Sequence, residues 1–440
     1  MDILDTYLKL NPRSKSLYER ACRSLPSGCT RNVLYTSPFP IYMARGEKSR
    51  LYDVDGNERI DFNFNNTTLI LGHNHPKVLK AAREQLERGT VLGAPTEPEV
   101  ALAEEILRRL GAERLRFTPS GTEANIQAIR LARSYMGREK IAKCEGAYHG
   151  SWDAVDISVA PPLDKAGPRK APVAVPQNEG VPKGVLGNTV VIPFNDSEAT
   201  EKIIMKHRDE LAAVILEPVQ RDMPPKPGFL KVLREVTERC GILLIFDEVI
   251  SFRLSPGGAQ KFYGVKPDIT TLGKIIGGGF PVGAYASTEE VMKPLMISGS
   301  EFPVVKQARL GFSGTFNAHP ITMAAGIAAM KELKTKVYVE MDKTAEAMRE
   351  GITSLLEGRK MGYQVSGVGS FFHIDWTKEE VVDYRSAATE DRKMSRRFST
   401  DLMNRGVFMW GHPNVSAVTT SEDVKIALEA IGRSLDSIAP

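Results

Sequence analysis

Four short runs put reactive side chains where chemistry can use them. Phe246-Asp247-Glu248-Val249 closes the apolar stretch Gly241 to Phe246, the strongest strand in the chain. Ligands gather at the carboxyl ends of strands in open parallel sheets, so Asp247 would face a crevice there; it reads equally well as a cap on the turn that follows. Lys274 comes 27 residues later, within Thr271-Leu272-Gly273-Lys274-Ile275-Ile276-Gly277-Gly278-Gly279. An ammonium buried among apolar residues has a lowered pKa, as an imine-forming lysine requires, and glycines let a flat ligand reach the backbone; alone, such a lysine could also snorkel to solvent. Thr118-Pro119-Ser120-Gly121-Thr122-Glu123-Ala124-Asn125 joins a strand to a helix. Ser120 and Glu123 have the spacing of a capping box, and the same helix start, with two hydroxyls and an open glycine backbone, can take a phosphate. Glu145-Gly146-Ala147-Tyr148-His149-Gly150 follows another strand and offers the Tyr148 ring for stacking on a planar ligand, or for local packing only.

A phosphate site, a stacking aromatic, a strand-end acid and a lysine of depressed pKa are together what pyridoxal 5′-phosphate requires. The lysine forms the imine, the carboxylate keeps the pyridine nitrogen protonated, and the helix start holds the phosphate. Over nearly its whole length the chain resembles the class III (subgroup II) aminotransferases of fold type I. The motifs that carry the resemblance are Gly72-His73-Asn74-His75-Pro76, Ser120-Gly121-Thr122-Glu123-Ala124, Tyr148-His149-Gly150 and Glu217-Pro218-Val219-Gln220, followed by Phe246-Asp247-Glu248-Val249, Leu272 to Gly279 and Ser313-Gly314-Thr315-Phe316. The resemblance implies Lys274 as the imine-forming lysine and proton shuttle, Asp247 as partner of the pyridine nitrogen, and Val249 and Tyr148 on opposite ring faces. It implies Ser120, Gly121 and Thr122 on the phosphate, and Gln220 or Glu217 near the 3-hydroxyl side. Thr315 would reach the phosphate of a neighbouring subunit, which makes the active site a property of a homodimer. No metal is implied.

Two groups within the family compete. Leu51 to Arg133, Gly93-Ala94-Pro95-Thr96-Glu97 and the run Gly257 to Gly264 resemble glutamate-1-semialdehyde 2,1-aminomutase. Gly28-Cys29-Thr30-Arg31-Asn32-Val33-Leu34, Ser37-Pro38-Phe39-Pro40, Ser251-Phe252-Arg253-Leu254-Ser255-Pro256 and Ser313 to Asn317 resemble β-phenylalanine aminotransferase instead. That second resemblance implies a β-amino acid donor, an α-keto acid acceptor such as pyruvate or 2-oxoglutarate, and Arg31 on the donor carboxylate. The chain departs from it near Trp410-Gly411-His412-Pro413, where no arginine stands. Trp410 and His412 are therefore the other residues expected to line the substrate side.

Elements must bring these runs together. Helical spacing over Ser14 to Leu25, Pro76 to Arg88, Pro98 to Leu110, Gly121 to Met136, Leu230 to Cys240 and from Pro320 to Leu333 alternates with strand-like Arg114 to Phe117, Lys140 to Lys143, Ala212 to Leu216 and Gly241 to Phe246. Such alternation implies a parallel sheet covered on both faces, an α/β fold. Leu51 to Phe62 reads as a hairpin around Asp55-Gly56, Ala160 to Gly187 as a long loop over the sheet, and Ser370 to Ile374 and Gly406 to Met409 as strands. The expected organisation is a large mostly parallel domain over 71–325 and a small α+β domain built from 1–70 and 326–440.

Composition bounds the rest. With 440 residues, 42% hydrophobic and 25% charged, the chain is an ordinary globular protein, and a net charge of +4 is too weak to mark a nucleic-acid or membrane surface. No apolar stretch approaches the roughly 20 residues that span a bilayer, and the start Met1-Asp2-Ile3-Leu4-Asp5 lacks a signal-peptide pattern. The four cysteines Cys22, Cys29, Cys144 and Cys240 form no C-x-x-C pair, so a cytoplasmic protein without disulfides or zinc is expected. The Rossmann glycines that a nicotinamide enzyme needs are absent.

Overall fold

The computed structural model describes residues 2–297 and 308–438. Two compact units divide the chain: Pro76–Tyr338 with Val381–Ala388, and Met1–His75 with Val339–Glu380 and Thr389–Pro440. In chain order the strands are β1 (Met43–Glu47), β2 (Arg50–Asp53), β3 (Glu58–Asp61), β4 (Arg114–Thr118), β5 (Lys140–Cys144), β6 (Thr189–Ile192), β7 (Leu211–Leu216), β8 (Leu243–Asp247), β9 (Ile269–Gly273), β10 (Gly283–Ser287), β11 (Gln364–Ser366), β12 (His373–Asp375) and β13 (Val407–Phe408).

The larger unit is built on a seven-stranded sheet of order β4-β10-β9-β8-β7-β5-β6. Period-two alternation sorts its side chains to two faces. Ala142, Val214, Leu216, Leu244 and Phe246 pack with Leu230, Leu233 and Val236 of helix Phe229–Arg239 on one side. Ile141, Ala213, Ile215, Leu243 and Ile245 pack with Ala128, Ile129 and Ala132 of helix Gly121–Met136 on the other. Each such large side chain, buried from water, contributes about 1.5–3 kcal/mol before entropy is counted. Because both faces are covered, β7 is buried at all positions, as a central strand between helices should be.

The sheet is mostly parallel, as expected, with one strand reversed. β10 runs antiparallel to both β9 and β4. Its sequence Gly283-Ala-Tyr-Ala-Ser287 gives little strand signal because its residues are small, and a Cβ on Gly283 would stand 2.0 Å from the Ser120 carbonyl oxygen. The loop after β5 is an ordered crossing: Ser158 N–H donates to Val175 O at 2.7 Å, and Arg385 grips Glu145 and the carbonyls of Ala166 and Gly167.

In the smaller unit β1, β2 and β3 form an antiparallel meander, and β13 adds beside β3 in parallel, with Val407 opposite Ile60. β11 and β12 make a separate antiparallel pair.

Candidate active site

Apart from β10, the strands of the large sheet share one direction, so their carboxyl ends line one edge. Five of these ends deliver the chemistry read from the sequence. β4 leads to Ser120, β5 to Tyr148 and His149, β7 to Glu217 and Gln220, β8 ends on Asp247, and β9 ends one residue before Lys274.

Alternation decides where Asp247 points. Leu243 and Ile245 face helix Gly121–Met136, so Asp247, two residues on, faces it as well. Its Oδ2 accepts from Asn125 Nδ2 at 2.7 Å and lies 2.9 Å from His149 Nδ1, while Oδ1 accepts from the Val249 N–H at 3.1 Å. Thr271 Oγ1 donates to Asn125 Oδ1 at 2.6 Å, which fixes the amide with its NH2 toward the carboxylate. One carboxylate oxygen is thus filled by two side-chain donors, and the other keeps room for a further donor. Asp247 is a buried strand-end acid and at the same time a partner of the turn behind it.

Lys274 opens the single turn Lys274–Gly277 in the left-handed region, φ 46°, a strained conformation for a side chain of its size. Ser120 caps helix Gly121–Met136, its hydroxyl accepting from the Glu123 N–H at 3.2 Å. The reciprocal half of the expected capping box, Glu123 back to the Ser120 N–H, is not formed among the described residues, so the helix start keeps donors for an anion. A Cβ on Gly121 would meet Val249 Cγ2 at 2.9 Å; only glycine lets the helix start close on that side chain. Glu217 is buried, accepts from the Tyr148 N–H at 3.0 Å, and has its pKa raised by burial, an effect opposed by nearby His149 and reinforced by Asp247. Gln220 donates to Glu145 O at 2.9 Å. Tyr148 is 48% exposed. Thr315 is exposed in the loop ahead of helix Pro320–Glu332, and no hydrogen bond among the described residues joins it to the cluster.

Arg31, Trp410 and His412 belong to the smaller unit. There Arg31 Nη1 donates to Asn65 Oδ1 at 2.7 Å, Trp410 Nε1 donates to Val33 O at 3.2 Å, and Asn63 Nδ2 donates to Trp410 O at 2.6 Å. His412 lies two residues along, its carbonyl accepting from Asn414 Nδ2 at 2.9 Å. Residues nearly the full chain length apart thus meet on the segment around Asn63–Asn66.

Sequence reasoning gave no role to Asn125, His149, Thr271 or Asn65. A signal existed for Asn125: it falls on the stripe of Ala124, Ala128, Ile129 and Ala132, where a polar side chain must have a partner. Thr271 and Asn65 carry none, because their partners are remote in sequence.

Two buried polar atoms of this cluster, His149 Nε2 and Gln220 Oε1, have no hydrogen-bond partner among the described residues. Each such group costs about 1–3 kcal/mol, a cost a polar ligand would relieve. An acid with one open oxygen, a lysine, a helix start with free donors and an exposed aromatic are chemically suited to pyridoxal phosphate. No group of three or more potential ligands for a metal ion occurs among the described residues, and no helix there is long and apolar enough to cross a membrane.

The architecture is that of the pyridoxal-phosphate-dependent enzymes of fold type I. The profile of the family described as aminotransferase class-III matches residues 33–438. The glutamate-1-semialdehyde 2,1-aminomutase of Methanocaldococcus jannaschii is 41% identical over 402 residues, 90% of this chain and 91% of that protein. Among solved structures, an omega-transaminase from Sphaerobacter thermophilus is 41% identical with a TM-score of 0.91, over 97% of this chain and 98% of its own. A β-phenylalanine aminotransferase from Variovorax paradoxus is 32% identical with a TM-score of 0.86, over 99% and 97% respectively. The chain belongs to the class III aminotransferase family, and it is a pyridoxal-phosphate-dependent enzyme.

Proposed function

We propose that the enzyme transfers the amino group of a β-amino acid to an α-keto acid such as pyruvate or 2-oxoglutarate. Pyridoxal phosphate, when bound, supplies the electron sink for the bond broken at the amine-bearing carbon. Lys274 holds the cofactor and moves the proton at its Nζ. Asp247 holds the ring-nitrogen proton through Oδ1, the oxygen that has only a backbone donor. Ser120, Gly121 and Thr122 bind the phosphate at the helix start, Val249 and Tyr148 flank the ring, and Glu217 and Gln220 serve its 3-hydroxyl side. Thr315 completes the phosphate site of a second subunit, so the working unit is a homodimer.

The observation that carries the donor class is Arg31. The residue is exposed, and its guanidinium forms no ion pair among the described residues and is oriented by a neutral amide, an arrangement suited to a substrate carboxylate. Trp410 and His412 would line the same side. An aminomutase acting on glutamate 1-semialdehyde is the second reading, favoured by the name of the 41% identical relative.

A panel of amino donors against pyruvate and 2-oxoglutarate, with glutamate 1-semialdehyde run in parallel, separates the two. The expected result is turnover of β-amino acids, with kcat/KM lowered about 10- to 100-fold by Arg31→Ala and much less for amines that lack a carboxylate. Faster conversion of glutamate 1-semialdehyde to 5-aminolevulinate would assign the aminomutase instead. An equal loss for both kinds of donor would make Arg31 a structural residue.

A further inference from the structure

Phe64, Asn65, Asn66 and Thr67 are four consecutive non-glycine residues with positive φ, at 47°, 53°, 50° and 74°. L-residues avoid this region, asparagine least, and a run of four persists only where the surroundings dictate it. Here they do. Asp61 Oδ1 accepts the N–H groups of Asn63 and Phe64 at 2.8 and 2.9 Å. Asn63 Oδ1 accepts the Asn66 N–H at 2.8 Å, and Asn63 Nδ2 donates to Asn66 Oδ1 at 3.0 Å and to Trp410 O at 2.6 Å. The side chains of Phe64 and Thr67 are fully buried.

Every side chain of the turn but one is therefore buried or bonded within it. Asn65 is exposed, and its Oδ1 takes a single N–H of Arg31 at 2.7 Å. A guanidinium carries five N–H donors in a rigid fork, so one bond to a neutral acceptor sets its direction and leaves the charge and the remaining donors available. Trp410, whose carbonyl accepts from Asn63 Nδ2, binds the segment that carries Arg31 a second time, its Nε1 donating to Val33 O. A carboxylate in place of the amide would occupy the guanidinium itself.

We propose that Asn65 is a positioning residue that aims Arg31 at the donor carboxylate, and that the left-handed turn exists to present it. This rests on the reading of Arg31 given above. It makes Asn65 a determinant of preference for carboxylate-bearing donors.

Asn65→Gly tests the side chain apart from the backbone, since glycine adopts positive φ without strain. With 3-amino-3-phenylpropanoate as donor and pyruvate as acceptor, the holoenzyme variant is expected to show KM raised about 5- to 20-fold, and Asn65→Asp a larger loss because it pairs with Arg31. The fall with 1-phenylethylamine, which has no carboxylate, should be several-fold smaller. Calorimetric binding of 3-phenylpropanoate to the same variants gives the comparison without turnover and should weaken in the same order. A purely structural role predicts that Asn65→Gly equals or exceeds wild type, and that outcome, or an equal loss with both donors, overturns the proposal. If Arg31→Ala weakens carboxylate binding but Asn65→Gly does not, only this inference fails; if Arg31→Ala changes nothing, the reading of Arg31 fails with it.

Discussion

A carboxylate proposed to hold a ligand's proton has to be correctly aimed, and at Asp247 two side-chain neighbours set its direction. Asn125 is the stricter of them, because Thr271 fixes its amide and so leaves Asp247 Oδ2 no other orientation to meet. Asn125→Ala leaves that oxygen with His149 alone. A lost hydrogen bond to a charge is worth about 1.5–3 kcal/mol, so the rate of the donor half-reaction, followed by the cofactor's absorbance in a single turnover, should fall about 10- to 100-fold while cofactor is retained. A variant within about threefold of wild type would mean that His149 suffices.

At the scale of elements, the loop after β5 carries Tyr148 and His149, and a fully buried lysine straps it. Lys143 Nζ donates to Ala147 O at 3.0 Å and Ile157 O at 2.6 Å. Burial pushes its pKa down to about 8. In the unfolded chain the amine titrates near its ordinary value of about 10.4, so between pH 8 and 10 the unfolded state binds more protons and this group makes the folded protein more stable as pH rises. Below pH 8 the folded protein bears the full cost of the buried charge. Lys143→Met lacks the titration and leaves two carbonyls without a donor. The stability gap between wild type and Lys143→Met, from denaturant unfolding, should therefore widen from pH 8 to pH 10 by up to about 1.4 kcal/mol per pH unit. A gap constant with pH would show that burial does not lower the pKa of this lysine.

At the scale of the whole molecule, the residues proposed to hold the cofactor belong to one unit and Arg31, Trp410 and His412, proposed for the substrate, to the other, and each unit draws on distant parts of the chain. Thr315 belongs to the first by sequence, yet it is exposed and joined to none of the cluster among the described residues. If it serves a second chain, mixing Lys274→Ala protein with Thr315→Ala protein should produce heterodimers that combine both lesions in one site and restore the other. Activity above the mean of the two parents is the expected result. An active monomer by light scattering, or no gain on mixing, would place Thr315 in its own chain's site.

The placement of the cluster's residues at strand ends and a helix start was legible in the sequence because it rests on local rules. An acid at the end of a buried strand, a lysine set in glycines and a serine starting a helix all announce themselves within a few residues, and the alternation of the strand-like Ala212 to Leu216 and Gly241 to Phe246 with helices announced the sheet. The reversed strand β10 did not announce itself, since strand direction is set by pairing partners rather than by residue type. Nor did the grip of Asn125 and Thr271 on Asp247, which spans 122 residues in sequence. Four left-handed residues in a row could not be read from Phe64-Asn65-Asn66-Thr67, because intrinsic preference opposes them and only Asp61, Asn63 and Trp410, gathered by the fold, outweigh it. Local propensity and periodicity place residues on elements; which remote side chains meet, and with what strain, is decided only when the elements pack.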